Sequence, residues 1–226
     1  MNLDLVVEYL PRFVEGLGVT LWLVSTSLVA GFALSVPLAL ARIYELPVAS
    51  QLSQAYSYVI RGTPLLVQVY LLYFGVAQFE AVRNSWAWVV LEDPVTCLIA
   101  GFALNTAAYI AEILRGAVRA VPEGEIEAAR AFGMSEAQVA RRIVLPNAWR
   151  RSIPPLSNEA IFLTHASVIA SVLAVTDILG VGRELNGTYY VVLEGFLTAA
   201  AFYAVIIGLL TVASGALERK YAAFLR

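Results

Sequence analysis

Asn158 and Glu159 stand side by side within an apolar stretch, and His165 follows seven residues after Asn158, so the imidazole recurs on nearly the same helical face. A carboxylate beside an amide suits an α-amino or guanidinium group, because the acid is a charged acceptor and the amide both donates and accepts. Asn105, Tyr109 and Glu112 form a second polar stripe at helical spacing, continued by Gly116. Ionisable groups at the centre of a membrane helix cost about 2.5 to 3.5 kcal/mol each, so every one of them needs a reason. Two reasons are open for each group at this point. Asn158, Glu159 and His165 either line a path for a cationic solute or pack between helices, Glu159 against an arginine such as Arg61 and His165 on a backbone carbonyl. Glu112 either joins that path with Asn105 or pairs with Arg115 or Arg119 on its own face.

The elements that must position these groups are membrane helices. Of 226 residues, 60% are hydrophobic and 14% charged, with a mean hydropathy of +0.75; a soluble domain carries roughly 25% charged residues. The single cysteine, Cys97, excludes an internal disulfide and a multi-cysteine metal site. The first sixteen residues carry Asp4, Glu8, Arg12 and Glu15 and lack the pattern of a cleavable signal, so the N-terminus is expected to be retained. Five stretches reach the roughly 20 apolar residues that a span requires, at about 17–41, 55–79, 95–118, 153–175 and 190–217. Pro37 is tolerable inside the first. Arg61-Gly62-Thr63-Pro64 predicts a bent or irregular first turn in the second.

Counting basic residues sets the orientation. With the 115–151 connection inside, Arg42, Arg61, Arg115, Arg119, Arg130, Arg141, Arg142, Arg150, Arg151, Arg219, Lys220 and Arg226 lie in the cytoplasm, and only Arg12, Arg83 and Arg183 outside. Twelve against three is a strong positive-inside asymmetry. Five spans then give an all-α membrane protein with its N-terminus outside and its C-terminus inside. Residues 1–226 read as one domain, without internal repeat.

The cytoplasmic connection at 121–146 predicts two short helices. Pro122 suits a first helical position, Glu123 and Glu125 place acid in the first turn, and Arg130 comes near the end, all in the sense of the helix dipole. Gly133 supplies the left-handed residue that ends a helix. Ser135 with Gln138 forms a capping-box start for the second helix, which runs through Val139 and Ile143 and which Pro146 should close.

Within that hairpin Glu127-Ala128-Ala129 is followed after three residues by Gly133, and after nine more by Ile143-Val144-Leu145-Pro146. This pattern resembles the coupling-helix signature of permease subunits of bacterial ABC importers. The similarity extends over nearly the whole chain, through Arg61-Gly62-Thr63-Pro64-Leu65, Leu104 to Tyr109, Val121 to Ala131 and Ser157-Asn158-Glu159. It points to the polar-amino-acid branch, and most closely to the M-type subunit of histidine/lysine/arginine/ornithine and opine importers. His165 and Arg183-Glu184-Leu185-Asn186 add to that likeness.

The resemblance implies a type I importer permease (MetI-like) fold in the bacterial inner membrane. It implies that Glu127, Ala128, Ala129 and Gly133, with Ile143, Leu145 and Pro146, couple the spans to a cytoplasmic ATPase dimer. It also implies a second, Q-type permease and a periplasmic amino-acid-binding protein. ATP and magnesium would belong to the partner ATPase: a P-loop needs a lysine in G-x-x-x-x-G-K-[ST], and the one lysine here is Lys220, followed by Tyr221. No cofactor, catalytic residue, metal or nucleic-acid partner is expected of this chain.

The rival class is a self-contained secondary carrier or channel, which typically shows repeated halves with interrupted helices. An intramembrane protease fits less well. Asp177 has no partner aspartate within a span, and nothing resembles the strained turn that exposes a nucleophilic serine near His165.

Overall fold

Asp93 accepts a hydrogen bond from the Thr96 amide at 2.8 Å, and Pro94 fills the first helical turn behind it, where a missing N–H costs nothing. The helix they start is the one around which the others pack. In the computed structural model, which describes residues 3–221, the chain runs α1 Leu3–Ile43, α2 Ala49–Arg61, α3 Leu65–Gln78, α4 Pro94–Arg119, α5 Glu123–Ala131, α6 Glu136–Leu173, α7 Ile178–Tyr189 and α8 Val192–Tyr221. Single turns at Glu80–Arg83 and Trp88–Leu91 bridge α3 to α4. Arg226, counted above among the inside charges, lies outside the described residues.

Among the described residues four helices are long and apolar enough to cross a membrane, and a fifth crossing exists if α2 and α3 count as one bent span. Lipid is as apolar as leucine, so the bundle is held by close packing rather than by escape from water. Small residues make that packing possible. A Cβ on Gly31 of α1 would lie 3.0 Å from the Ala103 carbonyl oxygen and 2.9 Å from the Thr106 methyl of α4, so only glycine lets these helices approach so closely. Leu23, Val69, Leu98, Phe102, Leu163 and Leu173 fill the resulting core between α1, α3, α4 and α6.

A second core joins α1, α7 and α8 through Phe13, Ile178, Leu185 and Tyr203. Asp177, fully buried, caps α7 by accepting from the Gly180 amide at 2.7 Å, and its other oxygen accepts from the Tyr203 hydroxyl at 2.9 Å. Gly182 and Gly195 bring α7 against α8, where a Cβ on Gly195 would fall 2.5 Å from the Gly182 carbonyl oxygen.

Three local expectations change. The second predicted span, 55–79, bends at Arg61-Gly62-Thr63-Pro64 as expected, but by 105° and between two helices, α2 and α3, rather than within the first turn of one. Pro64 lacks an N–H and is extended there, with φ −64° and ψ 133°. Pro122 is not the first helical residue but the extended residue before it, and α5 starts at Glu123. Pro146 does not close a separate short helix. The chain widens into a π-helical segment at Ala140–Val144 and continues without a break, so the start predicted at Ser135 is the start of the third of the four long helices. The wider turn accommodates the proline ring and the hydrogen bond it removes.

Candidate functional site

The polar groups of the bundle gather where α3 begins, α4 passes and α6 crosses them. A cavity of about 420 Å³ is lined by Leu65 of α3, Asn105 and Tyr109 of α4, and Pro155, Asn158, Glu159, Phe162, Leu163 and Ala166 of α6. Asn105, Asn158 and Glu159 therefore come together across two helices. Glu159 is 9% exposed, with the Thr106 side chain and the Arg61 charge as its polar surroundings, while Asn158 is exposed. A buried carboxylate, two amides, a phenol and an apolar wall make a site for a small cation with an aliphatic stem.

The other two expected pathway residues lie elsewhere. Glu112 takes the Arg115 guanidinium at 2.8 Å and also binds Arg42, which arrives from the end of α1. It lines a neighbouring cavity of about 370 Å³ with Gln54, Ser57, Tyr58, Arg61, Gly62 and Tyr109. Tyr109 is the wall between the two cavities, and the Arg61 guanidinium lies 5.2 Å from its ring centroid. His165 is exposed on α6 and does not line the larger cavity.

The bend from α2 to α3 adjoins the larger cavity through Leu65, and Gln68 ties it together. Its Nε2 donates to the Ile60 carbonyl at 2.7 Å, the Thr63 carbonyl at 3.0 Å and the Thr63 hydroxyl at 2.8 Å. Its Oε1 accepts from Asn105 Nδ2 at 3.0 Å. Sequence reading passed over Gln68, although a glutamine one turn after a helix-breaking Gly-Thr-Pro is a recognisable partner for the carbonyls that the break frees.

At one end of the bundle α5 presents a second surface. Its inner face is anchored by Ile126 against Ala117, Val121 and Ala148. Glu127 and Ala128 are exposed, Ala129 is buried, and Phe132 at the tip is 87% exposed. Gly133 has φ +79°; its amide bonds the Arg130 carbonyl and that of Met134 bonds Ala129, the two closures of a Schellman motif. Ser135 and Gln138 complete the reciprocal capping box. Arg130 bridges the turn to Glu136 through two contacts, at 2.8 and 2.9 Å, and the acid raises the guanidinium pKa above its ordinary value. Asn147 donates to Glu125 at 2.9 Å beside Ile143 and Pro146, so α5 is pinned to α6 as well. Nothing in the sequence pattern singled out Phe132.

Comparison with known proteins gives a consistent picture. Residues 23–223 match the family described as "Binding-protein-dependent transport system inner membrane component". The chain is 40% identical over 204 residues to the nopaline transport system permease protein of Agrobacterium fabrum, covering 90% of this chain and 85% of that one. It is 37% identical over 192 residues to the histidine/lysine/arginine/ornithine transport system permease protein of Escherichia coli, covering 84% and 81%. Among solved structures, an amino acid ABC transporter with histidines superposes with a TM-score of 0.86 at 31% identity, covering 95% of this chain and 96% of that one.

Proposed function

This chain belongs to the family of binding-protein-dependent transport system inner membrane components, and from that premise we propose that it is the permease subunit of an ATP-driven importer for basic amino acids or opines. Its all-helical fold is the MetI-like type I permease fold. The observation that carries the substrate reading is Glu159, a carboxylate buried to 9% exposure at the wall of a cavity whose other polar groups are Asn105, Tyr109 and Asn158. Burying an acid costs free energy that a cation offsets; the protein's own Arg61 charge reaches Glu159, and a cation in the cavity would add to it. The guanidinium, ammonium or imidazolium of a basic amino acid supplies one.

In this reading the N-terminus faces outward and α5 lies in the cytoplasm, where its exposed Glu127, Ala128 and Phe132 rest on an ATPase subunit. Exposed apolar surface at the tip of a rigidly capped helix supports a docking role. ATP and magnesium reside on that partner, a binding protein delivers the solute from outside, and a second permease of the Q type completes the pathway. A self-contained secondary carrier would need no such surface.

The test is Glu159→Gln in the assembled complex. Uptake of labelled arginine and arginine-stimulated ATP turnover should fall at least tenfold at equal complex abundance, since one charge-assisted hydrogen bond is worth about 1.5 to 3 kcal/mol. Unchanged uptake and stimulation would refute the substrate reading.

A further inference from the structure

A chain that bends by 105° at Gly62-Thr63-Pro64 frees carbonyl groups that need another donor. Pro64 contributes no N–H, and the Thr63 hydroxyl is already spent as a donor on the Val59 carbonyl at 2.9 Å. The Ile60 and Thr63 carbonyls flank that break, and the Gln68 amide nitrogen donates to both. Its two N–H groups are shared among three oxygens, which forces the amide oxygen to point the other way, toward α4. There it accepts from Asn105, 37 positions along the chain.

That last contact fixes a chemical choice. Asn105 can face the cavity with its oxygen or with its nitrogen, and the two ends are opposite in polarity. With Nδ2 held by Gln68, the acceptor Oδ1 is the end left for the cavity that Asn105 lines. An oxygen beside Glu159 completes a site for a cation; a nitrogen there would repel one. We propose that Gln68 is a positioning residue, which locks the bend between α2 and α3 and through the same amide sets Asn105 in the orientation that accepts from a basic substrate. The inference rests on the cavity being the substrate site. It makes the bend and the cavity one unit, so that opening the bend releases Asn105 and weakens the grip on the cation.

The experiment uses the detergent-solubilised permease–ATPase complex without binding protein, with two readouts. Hydrogen exchange across 61–67 without substrate reports the bend, and binding of labelled arginine reports the cavity. Gln68→Leu should speed exchange and weaken arginine binding, each by about five- to tenfold, the loss expected for one well-made hydrogen bond. Asn105→Leu should weaken binding by a similar factor and leave exchange at 61–67 unchanged. Because Gln68 acts on substrate only through Asn105, the double variant should bind no more weakly than Asn105→Leu alone. Losses that multiply would overturn the proposal, as would wild-type exchange in Gln68→Leu. If Gln68→Leu does not assemble, Gln68→Glu, which keeps the acceptor for Asn105 and loses the donors to Ile60 and Thr63, carries the exchange measurement. A wild-type complex that binds no basic amino acid refutes the substrate reading, and the substrate-free exchange rates then decide alone whether Gln68 locks the bend.

Discussion

Replacing Gly133 separates what the turn costs this chain from what it does for a partner. Gly133 holds φ +79°, a conformation that costs an L-residue about 1 to 2 kcal/mol. A Cβ built there meets nothing within 4 Å, so the chain imposes no further penalty on any side chain. Gly133→Ala should therefore loosen the Schellman turn by roughly 1 kcal/mol, a factor of about five, and Gly133→Asn, whose side chain tolerates the left-handed region, by less. Gly133→Asp carries nearly the same backbone cost and adds one negative charge to open space. If that space is filled by an ATPase subunit, the aspartate must be desolvated against it, and the loss should exceed that of Gly133→Asn by tenfold or more. The assay is co-purification of the ATPase with each variant in detergent, followed by arginine uptake in proteoliposomes. Equal behaviour of Gly133→Asp and Gly133→Asn in both assays would refute docking at this turn.

Phe132→Ser should weaken ATPase association by about tenfold, the value of burying one large aromatic, while leaving the thermal stability of the isolated permease unchanged because Phe132 is 87% exposed. Gly195→Ala forces a Cβ to 2.5 Å from the Gly182 carbonyl and should cost about 1 to 3 kcal/mol in thermal unfolding; Gly208→Ala, with nothing within 4 Å, serves as the control and should lose nothing. Glu112→Gln strands Arg42 and Arg115, whose side chains are 12% and 21% exposed, and should destabilise the chain by up to about 3 kcal/mol. Adding Arg42→Met should restore part of that loss; no recovery would mean that Arg42 and Glu112 do not depend on each other.

Features governed by neighbours in sequence were legible before the structure. Gly133 and the Ser135–Gln138 box follow from capping rules that act within a few residues, and Gly62-Thr63-Pro64 announced a bend though not its 105°. Pro146 was misread because a π-helical turn absorbs a proline without a signature in residue type. The pairing of Glu112 with Arg115 is local and was foreseen as one of two choices, whereas its pairing with Arg42 spans 70 positions and depends on how α1 lies against α4. The Gln68–Asn105 contact is of the same non-local kind. The cavity was foreseen as chemistry through Asn105, Asn158 and Glu159. Its exclusion of His165 follows from where α6 meets α4, which periodicity alone does not determine.

The continuity of α6 past Pro146 has a mechanical consequence. One rod begins at Glu136, three residues beyond the Gly133 turn, and carries Glu159 at the cavity wall, 23 residues on. At 1.5 Å per residue that is a lever arm of about 35 Å. A tilt of roughly 5° about the Glu136 end displaces Glu159 by about 3 Å, the length of a hydrogen bond. If the cavity holds a cation and the α5 turn docks a partner, a push at that turn needs no chain of intermediaries to make or break the grip. The π-helical segment at Ala140–Val144, close to the fulcrum, sets how stiffly the stroke is transmitted.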